Sequence, residues 1–331
     1  MKTTTNRKRG ISNISLLIAV ALLVVIYVAG ANIYDRFGRI STILNLFNDN
    51  AYLIVVAVGM TFVLLTGGID ISVASTLAFT GVFSAFLLEK GWPAGVVIPL
   101  VLAIGTFVGY VQGYVIHTFQ IAPFLVTLAG QFLMRGMCAV ISTVSIPINN
   151  GFFKAAALGK ISWKMSSGGM AKLYYYVFVA LAVVLIAWYV LRYTRFGRSV
   201  YAVGSNEQSA QYMGLNVKQV KIGVYAINGF CAALGGILFS FYTLAGYSLQ
   251  NMGLELDAIS SAVIGGTLLT GGVGTVIGSM VGVLIQGIIQ TVVTYQNLNT
   301  WWTKVTIAAI LCFFILIQRL IAIRAEKRKA S

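Results

Sequence analysis

Ten long apolar segments, separated by short polar or charged stretches, constrain the fold of this chain more than any other feature. A helix that crosses the hydrocarbon core of a bilayer needs roughly 20 apolar residues, and charged residues make up only 9% of the 331 residues. A typical soluble domain has about 25%. The sequence therefore predicts an all-α polytopic membrane protein with about ten transmembrane helices. The segments lie near residues 12–31, 50–66, 74–90, 95–117, 123–144, 173–191, 221–246, 257–270, 273–295 and 303–321.

Basic residues cluster at both ends of the chain and in one internal segment, and their distribution predicts the orientation. Loops rich in Lys and Arg stay on the cytoplasmic side of a membrane. If the N-terminal tail at 1–11 is cytoplasmic, ten crossings place 192–220 and the C-terminal tail at 322–331 on the same side. A single transmembrane domain then covers residues 1–331. The formal net charge of +15 comes from basic residues that would lie in cytoplasmic loops, near anionic lipid head groups. No nucleic-acid partner is therefore expected.

The sequence offers few residues for enzyme or metal chemistry. His117 is the only histidine, and packing at the membrane interface is its ordinary role there. The three cysteines each lie in an apolar run, without metal-ligand or disulfide spacing. The phosphate-binding pattern G-x-x-x-x-G-K-[ST] is missing. We therefore expect neither an enzyme nor a metal or cofactor site on this chain.

The string Leu-Leu-Thr-Gly-Gly occurs twice, at Leu64–Gly68 and at Leu268–Gly272, and each copy joins two apolar segments. Paired glycines allow the backbone to leave helical geometry, and many transporters have such broken helices at the substrate path. Both strings are predicted to interrupt helices. They are either traces of an internal duplication or independent occurrences of the small residues that membrane helices favour.

Two charged residues fall within the predicted membrane region, where an unpaired charge costs several kcal/mol. Asp70 follows the first glycine pair, either as a pore-lining carboxylate or as a cap that holds the helix break, and the capping role is favoured. Arg135 is a structural charge that needs an acidic or carbonyl partner. Asp70, Glu255 and Asp257 are the acidic candidates; the last two are otherwise solvated loop charges.

Uncharged polar side chains within the predicted helices suit a neutral, hydroxyl-rich ligand. The same side chains also form hydrogen bonds between membrane helices, which is the alternative for each of them. Gln286 and Gln290 are four residues apart and so share one helix face. The predicted substrate path contains Gly67, Gly68, Asp70, Ser72, Gln131, Asn228, Gln286 and Gln290.

Several motifs together resemble one protein family. The segment Gly67–Val73 is similar to the GG-x-DLSVG segment of permease subunits of ribose/xylose/arabinose-type bacterial ABC sugar importers, although Ala74 stands where that family usually has glycine. Ser145–Asn149 and Trp301–Lys304 look most like the galactofuranose branch. The other matching motifs are Thr127-Leu128 with Arg135-Gly136, Thr194–Arg198 with Tyr201–Gly204, and Leu256–Ala258 with Ile264–Thr267 and Gly271–Gly274.

The resemblance implies a complex of two permeases and two ATPase subunits in the bacterial inner membrane, fed by a periplasmic sugar-binding protein. ATP and Mg²⁺ would be bound by the ATPase, so this chain would carry no cofactor. The second permease is expected to be a paralogue, as in galactofuranose systems. The resemblance also implies that Asn206, Glu207, Ala210 and Gly214 form the element that couples to the ATPase; without it, this segment would be interpreted as a surface connector.

The predicted activity is import of a monosaccharide, galactofuranose or a related hexose or pentose, driven by ATP hydrolysis on another subunit. The alternative is an ion-coupled secondary sugar transporter. That class needs titratable relays, whereas Asp70 is the only acid well inside the predicted membrane region. The segment Ser145–Lys172 is predicted to lie outside the cell, either as a lid or docking surface or as a plain connector.

Overall fold

The helices of the computed structural model follow the apolar segments of the sequence closely. The structure describes residues 2–34, 37–164, 170–299 and 301–330, and side-chain surroundings within 16–34, 37–163, 170–299 and 301–316. The helices are α1 (Lys2–Ile33), α2 (Ile40–Leu65), α3 (Val73–Glu89), α4 (Ala94–Thr118), α5 (Pro123–Ile141), α6 (Gly151–Leu158), α7 (Tyr175–Tyr193), α8 (Arg195–Ser205), α9 (Glu207–Tyr212), α10 (Val217–Thr243), α11 (Leu254–Ile264), α12 (Val276–Tyr295) and α13 (Trp301–Ala330).

Seven helices in the described part of the chain are long and apolar enough to cross a membrane: α1, α2, α4, α5, α7, α10 and α12. The mainly helical, polytopic membrane fold predicted from the sequence is confirmed at this level. The other three predicted segments correspond to shorter helices. α3 has 17 residues, α11 has 11, and the apolar part of α13 described with its side chains is Trp301–Leu316. Helix length alone therefore does not establish ten crossings.

Two predicted boundaries differ from the structure for identifiable reasons. α2 begins at Ile40 rather than near residue 50, because the polar residues before 50 continue the helix and turn towards protein. Among these, the Asn48 side chain donates to the Lys172 carbonyl at 2.9 Å and accepts from the Tyr174 backbone N–H at 3.1 Å. α11 ends at Ile264, and residues 265–275 form an irregular segment instead of helix.

Both predicted tails are helical where the structure describes them. The segment at 1–11 belongs to α1 from Lys2 onwards, and the segment at 322–331 is the end of α13 up to Ala330. Met1 and Ser331 lie outside the described residues. The predicted loop at 192–220 consists largely of α8 and α9.

α2 is the central helix of the bundle. It packs against α10, α12, α7 and α11. Of the residues in its most apolar stretch, 89% are buried within the protein. α10 in turn packs against α4, α2 and α3. By contrast, only 11% of the residues in the apolar stretch of α1 are buried, and 17% of those in α5. Apolar side chains on these outer helices therefore face lipid or another subunit, as in a membrane-embedded bundle.

Four short strands within the described residues depart from the all-α prediction. β1 (Ile146–Pro147) pairs antiparallel with β4 (Ala245–Gly246), and β2 (Lys160–Lys164) pairs antiparallel with β3 (Met170–Tyr174). All of β1, β2 and most of β3 lie in the predicted lid or connector. We call the end of the bundle with the β2–β3 hairpin the hairpin end. The opposite end, reached through α7, is the α9 end.

Candidate functional site

The first glycine pair breaks the path between α2 and α3, as predicted. The last turn of α2 closes with bonds from the Gly67 N–H to the Leu64 carbonyl (2.9 Å) and from the Gly68 N–H to the Val63 carbonyl (3.2 Å). Gly67 has φ of +78°, a left-handed conformation that glycine adopts without steric cost. The backbone stays irregular until α3 begins at Val73. Gly67 itself is exposed at this break.

Asp70 holds the break in place. Its Oδ1 accepts from the Ser72 backbone N–H at 2.8 Å and from the Ser72 hydroxyl at 2.7 Å, and its Oδ2 accepts from Asn228 Nδ2 of α10 at 2.7 Å. The side chains are buried, with Asp70 2% exposed and Asn228 0%. Protein donors thus occupy both carboxylate oxygens. The geometry favours the capping role, and direct contact of Asp70 with a substrate stays a prediction.

Two residues outside the predicted path extend this network. Gln112 of α4 donates from Nε2 to the Ser72 hydroxyl at 2.9 Å. The Thr127 hydroxyl of α5 lies 3.3 Å from both the Ile71 N–H and the Ile69 carbonyl. The short irregular segment after α2 is therefore tied to three other helices. Thr127 belonged to a family-like motif, but nothing local marked Gln112, which lies in the mainly apolar helix α4.

Gln131 and Arg135 of α5 contact the segment that leads into α11. Gln131 donates from Nε2 to Glu255 Oε1 at 3.3 Å. Arg135 Nη1 donates to the Ser248 carbonyl at 2.6 Å and to the Gln250 carbonyl at 3.1 Å. Carbonyl groups, rather than any of the three acidic candidates, are thus its hydrogen-bond partners. Glu255 is buried in the first turn of α11, so its interpretation as a solvated loop charge is wrong.

The two glutamines of α12 have different surroundings. Gln286 is buried and donates from Nε2 to the Ser260 hydroxyl at 2.7 Å and to the Asp257 carbonyl at 3.1 Å. It therefore joins α12 to α11, as the alternative of a bond between helices predicts. Gln290 is exposed. Of the predicted path residues, Gly67, Gln131 and Gln290 are at least partly accessible, whereas the side chains of Asp70, Ser72, Asn228 and Gln286 are buried.

α9 forms a compact projection at its end of the bundle. The Asn206 side chain caps its start by accepting from the Ser209 N–H at 2.7 Å. Its end is closed by Gly214, at φ +78°, with the Leu215 N–H bonded to the Ala210 carbonyl at 3.1 Å. Ala210 is fully buried against the protein, so it seats α9 and does not face outwards.

The outward surface of α9 carries residues that sequence reasoning missed. Tyr212 is 89% exposed and Met213 is 57% exposed. Glu207 is partly exposed and pairs with Lys221 of α10, with Nζ and Oε1 2.6 Å apart. This is an ion pair beside an apolar tip, an arrangement suited to contact with another protein. The signal available in the sequence was a Tyr and a Met directly before Gly214, the residue predicted to end the segment.

The two Leu-Leu-Thr-Gly-Gly strings meet beneath α8, which the sequence did not predict. The Gly272 N–H donates to the Leu65 carbonyl at 2.8 Å. Gly204, near the end of α8, is packed so closely that a Cβ there would overlap the Leu65 carbonyl and reach the Gly272 nitrogen. A Cβ on Gly271 would meet the Gly204 carbonyl and the Gly67 nitrogen. We call these five residues, Leu65, Gly67, Gly204, Gly271 and Gly272, the glycine junction.

α8 connects the glycine junction directly to the α9 projection. Tyr201, one turn before the junction, donates its hydroxyl to the Gly274 carbonyl at 2.8 Å. Ser205 lies against Gly272, and the next residue is Asn206, the cap of α9. α9 is therefore connected through α8 to both broken segments by close backbone contacts. Within the described residues, no group of three or more His, Cys, Asp or Glu side chains is placed to hold a metal ion.

Comparison of the sequence with known proteins identifies the family of this chain. Residues 42–315 match the family model described as the permease component of the branched-chain amino acid transport system. The inner membrane ABC transporter permease protein YjfF of Escherichia coli is 43% identical, over 96% of each chain. The fructose import permease protein FruG of Bifidobacterium longum is 35% identical, over 94% of this chain and 93% of the relative.

A third relative, the ribose import permease protein RbsC of Haemophilus influenzae, is 33% identical over 90% of each chain. No solved structure matches the chain. The family match covers most of the sequence, including both glycine-broken segments, α8 and α9. These relatives are transport components rather than enzymes, and the chain belongs to their permease family.

Proposed function

We propose that this chain is the membrane-spanning permease of an ATP-driven importer of a monosaccharide in the bacterial inner membrane. The single observation that carries the proposal is the glycine junction, which links an exposed projection to both breaks in the helix bundle. Such a link suits a machine driven by a partner at α9. An ion-coupled transporter needs titratable relays instead, and the carboxylate at the break, Asp70, is enclosed by protein donors.

The names of the relatives support a sugar as the substrate. Relatives of this chain import fructose and ribose, and another, at 31% identity, imports galactose and methyl galactoside. The proposed substrate is galactofuranose or a related hexose or pentose. The proposed partners are an ATPase subunit that binds ATP and Mg²⁺, a periplasmic sugar-binding protein, and a second permease that is a paralogue of this chain.

The proposed topology is one transmembrane domain with about ten crossings and both termini in the cytoplasm. α3, α13, and α11 together with residues 265–275 add three crossings to the seven long helices. The α9 end is then cytoplasmic, where an ATPase is located, and the hairpin end faces the periplasm. In this arrangement the α9 projection contacts the ATPase, and four residues shape it or hold it against the protein: Asn206, Glu207, Ala210 and Gly214.

We propose that the predicted path residues act in two ways. Gly67, Gln131 and Gln290, which are accessible, face the solute. The buried residues keep the irregular segments in the conformation that encloses the path, and Arg135 does so by holding two carbonyl groups. Gly68 belongs to this group, because a Cβ there would meet the Tyr225 hydroxyl.

The test of this function is uptake by the complete complex in proteoliposomes. The chain is reconstituted with its permease partner, ATPase and binding protein, and the uptake of radiolabelled ribose, fructose, galactose, galactofuranose and leucine is measured. We expect uptake of at least one sugar to require internal ATP and to survive an uncoupler. Uptake that survives ATP depletion but collapses with the uncoupler would establish the ion-coupled alternative, and uptake of leucine alone would refute the sugar assignment.

The variant Glu207→Lys is expected to insert and fold but to lose ATP-driven uptake. The substitution places two positive charges where Lys221 and Glu207 now pair at 2.6 Å, and a positive charge at the start of a helix is unfavourable. Glu207→Gln is the matched control and is expected to retain most uptake, since a partly exposed ion pair contributes only about 0–1 kcal/mol. Sugar uptake and binding of the ATPase subunit are measured for both variants. Normal uptake by Glu207→Lys would refute the coupling role of α9.

A further inference from the structure

A pocket of about 310 Å³ opens at the hairpin end, and its lining includes no residue of the glycine junction or of the predicted path. Its walls come from the first turns of α2, the end of α6, the start of α7 and the end of α10. This volume is at the lower limit of ligand-binding pockets, which are typically about 300–1,000 Å³. The polar and aromatic residues that line it are Asn45, Asn48, Asp49, Tyr174, Tyr176 and Tyr242.

The wall of the pocket is held rigidly. Asn48 is buried and bonds to two backbone groups of β3, which fixes the hairpin against α2. The rings of Tyr174 and Tyr176 stack with centroids 5.4 Å apart and planes 10° apart. Lys160 lies over the Tyr174 ring, 5.9 Å from its centroid. The pocket is therefore a preformed cavity, and the hairpin is more than a plain connector.

Its polar groups match a neutral ligand rich in hydroxyl groups. The Asp49 carboxylate is exposed, and it forms no ion pair with any side chain in the described ranges. The Tyr242 phenol lines the pocket together with this carboxylate, and the Asn45 amide is also exposed. A carboxylate accepts hydrogen bonds from hydroxyl groups, and amide and phenol groups both donate and accept. A lipid chain in this pocket would instead remove the carboxylate from water without a partner.

We propose that this pocket is a binding subsite for a monosaccharide at the hairpin end, with Asp49 accepting hydrogen bonds from sugar hydroxyl groups. The inference rests on the proposed function, because it gives the imported sugar its first site on the permease. Two of the helices that line the pocket, α2 and α10, lead to the break: α2 ends in Leu65 of the glycine junction, and α10 carries Asn228, the partner of Asp70. An occupant thus contacts both helices that meet at the break.

Sugar binding to the intact complex tests this subsite. Permease and ATPase subunits are assembled in lipid nanodiscs without the binding protein, and scintillation proximity measures binding of radiolabelled ribose, fructose, galactose and galactofuranose. We expect saturable binding of the transported sugar. Asp49→Ala is expected to weaken it about tenfold or more, since hydrogen bonds to a charged group are lost, and Tyr242→Phe several-fold. Glu89→Gln, which removes another exposed carboxylate outside the pocket, is expected to change nothing.

Two results would overturn the subsite: no saturable binding by the native complex, or equal binding by Asp49→Ala. If Asp49→Ala binds the sugar normally but captures the loaded binding protein less well in a separate pull-down, the pocket is a protein-docking contact. Uptake in proteoliposomes separates this failure from failure of the proposed function. If the native complex imports the sugar with ATP while Asp49→Ala binds it normally, the subsite alone is refuted. If the native complex imports no sugar, the proposed function is refuted.

Discussion

Replacing Asp70 by alanine is expected to abolish sugar uptake and to lower the thermal stability of the protein. The substitution leaves two buried N–H donors, the Ser72 backbone and Asn228 Nδ2, without their acceptor, whereas the third donor, the Ser72 hydroxyl, can turn to Gln112 Oε1. Each unsatisfied buried group costs about 1–3 kcal/mol, so the loss is roughly 2–6 kcal/mol. The irregular segment between α2 and α3 then loses its bond to α10. Uptake in proteoliposomes and the melting temperature in nanodiscs measure the two effects.

The variant Asp70→Asn separates a capping role from contact with the substrate. The introduced amide can accept from Ser72 through its oxygen. Its nitrogen can donate to Asn228 Oδ1, which has no partner in the described residues, once the Asn228 amide rotates. We therefore expect Asp70→Asn to retain most of the stability and uptake that Asp70→Ala loses. Equal loss of uptake in both variants, with stability retained by Asp70→Asn, would show that the charge itself serves the solute.

Replacing Gly204 by valine is expected to reduce uptake by about tenfold or more while leaving sugar binding intact. A Cβ at this position overlaps the Leu65 carbonyl and reaches the Gly272 nitrogen. These are backbone atoms, so no side-chain rotation relieves the overlap. Overpacking of this kind costs roughly 1–3 kcal/mol, and about 1.4 kcal/mol corresponds to tenfold. The added side chain separates the two broken segments and loosens their link to α9.

The control for this variant is Gly95→Ala in the first turn of α4. A Cβ on Gly95 meets no atom within 4 Å, so this substitution tests the loss of a glycine without added contacts. Native uptake is expected for Gly95→Ala. For Gly204→Val, stimulation of ATP hydrolysis by the loaded binding protein is measured beside uptake, and we expect both to fall together. Native uptake by Gly204→Val would show that the glycine junction plays no part in coupling.

Properties that depend on short stretches of chain were predicted well. The positions of the apolar helices follow from the length and composition of each segment. The break at Gly67 follows from a glycine pair that can adopt positive φ. The family resemblance, confirmed by comparison, rests on the same local strings. The sugar substrate of this chain stays a proposal, because no short sequence motif identifies the ligand.

Properties that depend on contacts between distant residues were decided only by the tertiary structure. The bond between Asp70 and Asn228 joins residues 158 positions apart, and Arg135 finds its carbonyl partners 113 and 115 positions away. The same is true of the close packing of Leu65 against Gly204 and Gly272. The sequence by itself determined that the chain leaves helical geometry at the two glycine pairs, since glycine adopts positive φ without steric cost. The packing of the helices decides which of these breaks meet and what holds them together. Packing energy comes from many weak contacts between distant segments, so it cannot be read from any single segment.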